Sequence, residues 1–345
     1  LNFFDYDDRY TWVMAAMAIR AEFGEGGFST WDDWSHKSKK YKEKIADSVW
    51  KSCSGSGIGI GSLFDAAIKE GWIPEKREYT PEEKAAFAKE CAERRAKRAL
   101  EIAQEEFDKK RWCGVVAESA NKLLPDLKLI GKSPYLGIKR VSAFGVYFAP
   151  HSFVIRTNDN FTVDILQGPA QTKDFFDAQK LKTKEQKEQD SFHYFKRGSI
   201  LVPLRDYHGF LHNFQIIFND GKSKRFFTNG RKSGYFHIIG EITPDKPIVF
   251  CEGYATGASI FMATNWPVVV CFDAGNMPVV AEQFRELPHI KIFAGDNDWE
   301  KALEEGKKNT GLIKCQEAAK VGHGRWCVPE FPADATKCSD FNDLH

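Results

Sequence analysis

The chain has 345 residues, of which 42% are hydrophobic and 28% charged, and its formal net charge is +1. These values are those of an ordinary globular protein with room for two or three domains. No apolar run approaches the roughly 18 residues that a transmembrane helix needs, so we expect no membrane partner.

The amino terminus argues against a signal peptide, and the cysteines argue against a zinc site. Residues 1–8 carry acids and no basic segment, unlike a signal peptide. They also lack an initiator Met, so a trimmed chain is expected. The eight cysteines include no Cys-x-x-Cys pair. We therefore expect reduced thiols and no zinc in this chain.

Residues 1–75 are predicted to form a small helical module. Helical spacing of apolar residues covers 10–23, and further helices are expected near 38–52 and 62–70. The module holds five of the nine tryptophans, which we interpret as core, with stacking on bases as the alternative. Residues 76–132 are assigned to a linker region, because 80–112 has a good helix start and then few apolar residues.

Residues 133–245 are predicted to form a mixed α+β basic subdomain. Strands are expected at 141–148, 153–156 and 161–166. Three hairpin-like runs follow at 199–206, 211–218 and 224–228. The polar segment 170–190 is interpreted as an insertion or mobile loop. His208 and His212 flank a turn and are interpreted as strand-end residues, not as a metal pair.

Residues 246–345 alternate between strand and helix patterns. Strands are predicted at 248–251, 267–272, 289–294 and 325–328. Helices are predicted at 254–264, 277–287 and 309–320. This order indicates a parallel sheet with right-handed crossovers. The predicted fold class is therefore α/β multidomain: a helical module, a long linker helix, a basic α+β subdomain and a parallel α/β sheet.

Acidic residues follow the strands of that predicted sheet. Glu252, Asp273, Asp296 and Asp298 stand at successive carboxyl ends, where such sheets bind ligands. A third acidic cluster contains Asp340 and Asp343. Carboxylates that lie so near each other cannot all stay ionised without a cation. Hard oxygen ligands of this kind suit Mg²⁺ or Mn²⁺. The pattern therefore predicts metal-assisted chemistry on phosphates.

The charge distribution supports a polyanionic partner. Residues 191–240 carry eight basic and two acidic side chains, a net of +6. Residues 241–345 carry ten basic and sixteen acidic side chains, a net of −6. A basic segment before an acidic one fits a carboxylate metal site beside a track for nucleic acid.

Three motifs carry a resemblance to a known family. The segments 251–259 (CEGYATGAS), 272–276 (FDAGN) and 340–344 (DFNDL) resemble the TOPRIM domain of phage and plasmid primases of the bacterial kind. Residues 201–206 and 230–235 resemble the basic subdomain of such primases. Residues 1–75 are similar to a helical module of mobile-element primases.

The resemblance implies a role for each site residue. Glu252 would be the general acid/base or an indirect metal ligand. Asp296 and Asp298 would hold two or more Mg²⁺ or Mn²⁺ ions, and Asp340 would complete the site. Asp273 and Asp343 are possible additional acids. Further residues would contact template phosphates or the nucleotide: Lys224, Arg225, Arg231 and Lys232.

The implied function is a DNA primase core that joins nucleoside triphosphates on single-stranded DNA in a bacterial cytoplasm, with a replicative helicase as a further partner. Two alternatives stay open: a TOPRIM-type metal-dependent nuclease, and an inactive single-strand-binding accessory protein. A topoisomerase fits less well, because nothing resembles a domain with a nucleophilic tyrosine.

Primases of this kind usually carry a zinc module. The helical module would therefore replace it, or the zinc module would lie outside this chain.

Overall fold

The computed structural model describes residues 1–53, 58–74, 79–299, 308–331 and 338–345. These residues divide into two compact units, 1–108 and 109–345. The boundary falls inside the long helix α5, Pro81–Leu123, so that each unit contains part of it. The four domains predicted from the sequence are a finer division than these two units. Among the described residues, no helix is both long and apolar enough to cross a membrane.

The first unit is helical and is built around tryptophans. Its helices are α1 (Arg9–Phe23), α2 (Phe28–Ser35), α3 (Glu43–Ser52), α4 (Ile60–Lys69) and the first part of α5. Trp31, Trp34 and Trp50 are buried together, while Trp12 and Trp72 pack against the same cluster with part of their surface exposed. The core interpretation of these side chains is therefore confirmed.

The second unit opens with two antiparallel sheets and the short helix α6 (Pro134–Ile138). The strands of these sheets are β1 (Tyr147–Phe148), β2 (Phe153–Asn158), β3 (Thr162–Gln167), β4 (Ser191–Phe195), β5 (Ile200–Arg205), β6 (Leu211–Ile217) and β7 (Lys224–Phe226). One sheet has the order β1-β5-β6-β7 and the other β3-β2-β4. The predicted hairpin runs are confirmed by the antiparallel pairing of β5 with β6 and of β6 with β7.

Two expectations for this region are wrong. The predicted strand 141–148 is reduced to its last two residues, because Gly145 has a φ of +65° and packs against His237. The predicted loop 170–190 consists of the helices α7 (Gly168–Lys180) and α8 (Lys184–Gln189). Phe175 is buried against Phe192, which anchors α7, and a capping box at Thr183 begins α8.

The last sheet is parallel, as predicted, except for one edge. Its strands are β8 (His237–Ile239), β9 (Ile248–Cys251), β10 (Val268–Val270), β11 (Lys291–Ala294) and β12 (Arg325–Cys327). They are arranged in the order β12-β11-β9-β10-β8. The helices are α9 (Tyr254–Thr264), α10 (Asn276–Gln283), α11 (Thr310–Val321) and α12 (Phe341–Leu344). The edge strand β8 is antiparallel and was not predicted.

Both faces of the central strand β9 are covered, which explains its unbroken apolar sequence. Val249 and Cys251 pack on the side of α9, with Ala258. Ile248 and Phe250 pack on the opposite side, in the cluster that includes residues of α10 and α11. The carboxyl end of this buried strand is therefore fixed from two sides, and the residue that follows it is Glu252.

Candidate active site

The strand register brings the predicted acids to one edge of the parallel sheet. Cys251, the last residue of β9, lies beside Ala294 on β11 and beside Val270 on β10. Glu252 therefore follows the central strand, and Asp296 and Asp273 follow its two neighbours. The three chain segments meet as the sequence predicted, because the strands are parallel and end at the same level.

Burial gives Glu252 and Asp296 unusual proton affinity. Burial raises the pKa of Glu252 to about 7, and the carboxylates of Asp298 and Asp273 add to the rise, while backbone amides of Asp296 and Ala274 oppose it. Burial also raises the pKa of Asp296 to about 8, and the next causes are Glu252 and Asp340. The two acids thus resist being ionised together without a compensating cation.

Two oxygen atoms at this edge have no partner. Glu252 Oε1 and Asp296 Oδ1 are buried and form no hydrogen bond. Within the described ranges, no three His, Cys, Asp or Glu side chains converge tightly enough to enclose a metal ion. Buried, unpartnered carboxylate oxygens are nevertheless the donors that Mg²⁺ and Mn²⁺ accept, so the residues present fit such an ion.

The third acidic cluster is tied to the second by the backbone. Asn297 N donates to Ser339 O at 2.7 Å, which holds the loop after β11 against the segment before α12. Asp340 is the N-cap of α12, where its Oδ1 accepts from Asn342 N at 2.6 Å and from Asp343 N at 3.0 Å. One oxygen of Asp340 is therefore committed to capping, and its charge still contributes to the raised pKa of Asp296.

Asp343 and Asp273 already have partners. Asp343 Oδ2 accepts from Ser339 N at 2.9 Å and completes the capping box of α12. Asp273 Oδ1 accepts from Asn276 N at 2.9 Å, and its Oδ2 lies 2.7 Å from Lys232 Nζ. Both acids border the Glu252–Asp296 pair and are less available to a cation than that pair.

The four basic residues singled out in the sequence do not form one group. Lys224 and Lys232 lie on the carboxylate side: the charges of Asp340 and Asp296 act on Lys224, and Lys232 pairs with Asp273. Burial lowers the pKa of Lys224, and the nearby Lys139 lowers it further. A half-buried lysine at this edge is suited to bind a phosphate.

The two arginines point elsewhere. Arg225 follows Lys224 on β7 and so faces the other side of the sheet. There its charge helps to lower the pKa of His193, after the larger effect of burial. Arg231 stacks its guanidinium on Tyr235, 5.7 Å from the ring centroid. The structure therefore separates these arginines from the two lysines.

Three positioning residues were missed by sequence reasoning. Asn297 accepts a hydrogen bond from Asn309 at 2.9 Å and donates to Pro329 O at 3.3 Å, which fixes the loop between Asp296 and Asp298. Asn309 is also the N-cap of α11. Lys139 Nζ lies 3.8 Å from Asp343 Oδ1. Asn309, just before the first helical residue Thr310, was a capping signal in the sequence, whereas nothing in the sequence pointed to Lys139.

Gly311 permits the close approach of α11 to the acids. A Cβ at Gly311 would lie 2.4 Å from Asp296 O and 3.2 Å from Glu252 Oε1. The first turn of α11 therefore lies against both carboxylate-bearing loops. Only a residue without a side chain fits there.

Comparisons with known proteins agree with the resemblance found in the sequence. Residues 1–67 match the family model described as Primase C terminal 2 (PriCT-2). A protein named DNA primase TraC from Escherichia coli is 36% identical over 137 residues, covering 38% of this chain and 12% of that protein. A second Escherichia coli DNA primase TraC is 34% identical over 143 residues, covering 39% of this chain and 10% of that protein.

A solved structure of the DnaG primase catalytic domain bound to ssDNA is 16% identical, with a TM-score of 0.39, and covers 69% of this chain and 77% of that chain. The present chain spans about a tenth of the length of the two curated relatives. The family-model match and the two TraC relatives confirm the predicted resemblance to primases.

Proposed function

We propose that this chain is the catalytic core of a DNA primase that makes short primers on single-stranded DNA. The observation that carries the proposal is the half-buried pair Glu252 and Asp296, each with one buried oxygen, at the end of parallel strands beside Lys224 and Lys232. The similarity to proteins named DNA primases supports the same conclusion. The carboxylate edge would belong to the TOPRIM type.

The acids divide into ligands and a proton acceptor. Asp296 and Asp298 would bind Mg²⁺ or Mn²⁺, with Asp340 completing the set, and Glu252 would be the proton acceptor. The bound ions would neutralise charge on the nucleotide triphosphate and on the attacking oxygen.

The chain's own groups then position the reactants. The 3′-hydroxyl attacks the α-phosphorus of the nucleoside triphosphate, a new P–O bond forms, and diphosphate leaves. Glu252 Oε1 is buried and free of hydrogen bonds, so it is placed to take the hydroxyl proton. Lys224 and Lys232 face the same edge and would bind the phosphates, which makes positioning and charge neutralisation the main sources of rate.

Primer synthesis tests this proposal. Purified protein, mixed-sequence single-stranded DNA, labelled nucleotides and Mn²⁺ should give short labelled products. Asp296→Asn should abolish them, because it removes a charged ligand without changing shape. Asp245→Asn is the matched control: Asp245 is exposed and precedes the amino end of β9, far along the strand from the acids.

The outcomes separate the alternatives. Template degradation that needs metal but no nucleotide would assign the site to a nuclease. Binding of DNA without any metal-dependent turnover would assign the chain to the accessory class. A replicative helicase is the partner we propose for the primase, and its addition should raise primer yield.

A further inference from the structure

A dense group of lysines connects α2 to α3 in the first unit. Residues 36–44 hold five lysines and one acid, Glu43. All five side chains are exposed: Lys37, Lys39, Lys40, Lys42 and Lys44. We call residues 36–44 the lysine loop. The amino end of α3 begins within it and adds further positive potential.

The backbone of the lysine loop is anchored at several points. Tyr41 OH donates to Asp32 Oδ1 at 2.9 Å, and the Tyr41 ring stacks on His36 with centroids 3.9 Å apart. Burial raises the pKa of Tyr41 to about 12, so this hydroxyl stays a donor. Ser38 Oγ donates to Asp7, and Ser38 N donates to Ser35 O at 3.0 Å. The loop is therefore held in shape before any ligand arrives.

Three lysines of the loop have no acidic partner among the described residues. Lys39, Lys40 and Lys42 form no ion pair with any acid in the described part of the chain. Lys37 donates to an amide oxygen, Asn2 Oδ1, at 2.9 Å. Lysines on a surface are ordinarily separated or paired with acids. Here an anchored backbone holds them close, and their repulsion would be relieved by a polyanion.

We propose that the lysine loop binds the phosphate backbone of the single-stranded template. The inference rests on the proposed function, which requires the chain to hold a single strand. A polymer with regularly repeated phosphates can engage several of these lysines at once, whereas a single small anion cannot. The loop would add template affinity that is independent of metal and nucleotide.

Salt-dependent binding tests the inference. The full chain is titrated against fluorescently labelled oligothymidylate by anisotropy, over a range of KCl concentrations, without metal or nucleotide. The variant K39Q/K40Q/K42Q should bind about tenfold or more weakly at low salt. Its plot of log affinity against log salt should be shallower by about 2, since each lost phosphate contact on a single strand removes about 0.7.

A matched triple variant controls for overall charge. Lys84, Lys89 and Lys97 are exposed on α5 of the same unit, so K84Q/K89Q/K97Q makes the same change in net charge. It should leave the slope unchanged. Equal slopes for both triple variants, or unchanged binding in the loop variant, would overturn the inference. Both variants should melt as the wild type does, because all six lysines are exposed.

The same preparation separates this inference from the proposed function. Loss of oligonucleotide binding in the loop variant supports the lysine loop even if the wild type makes no primers, in which case only the primase proposal fails. If the wild type makes primers and the loop variant binds the oligonucleotide as well as the wild type does, the primase proposal stands and the lysine-loop proposal is rejected. The lysine-loop proposal would also be rejected if the loop variant lost binding to anionic phospholipid vesicles but kept its binding to the oligonucleotide.

Discussion

Replacing Asp296 by Asn should stabilise the metal-free protein at alkaline pH. Asp296 is half-buried, and its carboxylate faces the charges of Glu252 and Asp340 without a hydrogen bond to its Oδ1. Ionising it in the folded protein is therefore costly, whereas in the unfolded chain it ionises freely. An amide of the same shape avoids that cost.

The size of the effect follows from the pKa. The pKa of Asp296 rises from 3.8 to about 8 on folding. The folded state therefore binds the extra proton, and the stability present below pH 4 is lost as pH rises through the folded value. The full shift corresponds to about 6 kcal/mol at 1.4 kcal/mol per unit. Because the repulsion is shared with Glu252 and relaxed by solvent, we expect about 2 kcal/mol on removing one charge.

Thermal unfolding in EDTA at several pH values is the assay. Asp296→Asn should melt close to the wild type at pH 4.5 and about 5 °C above it at pH 8.5. Added Mg²⁺ should raise the melting temperature of the wild type and not that of the variant. The exposed Asp245→Asn should follow the wild type throughout. A variant that is less stable than the wild type at pH 8.5, or equally stabilised by Mg²⁺, would refute the reasoning.

Three further substitutions test other parts of the account. Gly311→Ala should abolish the Mg²⁺-dependent rise in melting temperature, because its Cβ would strike Asp296 O, whereas Gly114→Ala, with open space in α5, should preserve it. Phe175→Ala should destabilise the second unit by about 3 kcal/mol in urea unfolding and open α7 to limited proteolysis, with the exposed Leu181→Ala as control. Tyr254→Phe should cost about 1 kcal/mol in the same unfolding measurement, since Phe144 N loses its acceptor at 2.7 Å; no change would show that water replaces it.

The parallel part of the sheet was predictable because β9 and β10 are unbroken apolar runs. Ile248–Cys251 is apolar throughout and is buried on both faces, as its sequence indicates. The edge strand His237–Ile239 has only three residues and pairs with β10 across a long stretch of chain, so no local pattern revealed it. The segment 170–190 was misjudged from its polar composition, since the burial of Phe175 depends on Phe192 in a different element.

The positions of the acidic residues of the candidate site were predictable from the sequence. The positions of its basic residues were less so. Parallel strands that end at the same level bring Glu252 and Asp296 to one edge of the sheet, and this does not depend on how the helices pack. The basic residues were grouped by closeness in sequence, although Lys224 and Arg225 are neighbours on a strand and must face opposite sides. The contribution of Asn297 depends on Asn309, Pro329 and Ser339, which only the folded chain brings together.

One reaction tests the central claim most directly. Wild type and Asp296→Asn are incubated with Mn²⁺, α-labelled nucleotides and a single-stranded template that carries a different label at its 5′ end. The account predicts short products with the nucleotide label, made by the wild type only, while the template stays intact. A shortened template without nucleotide incorporation, or products of equal yield from the variant, would contradict it.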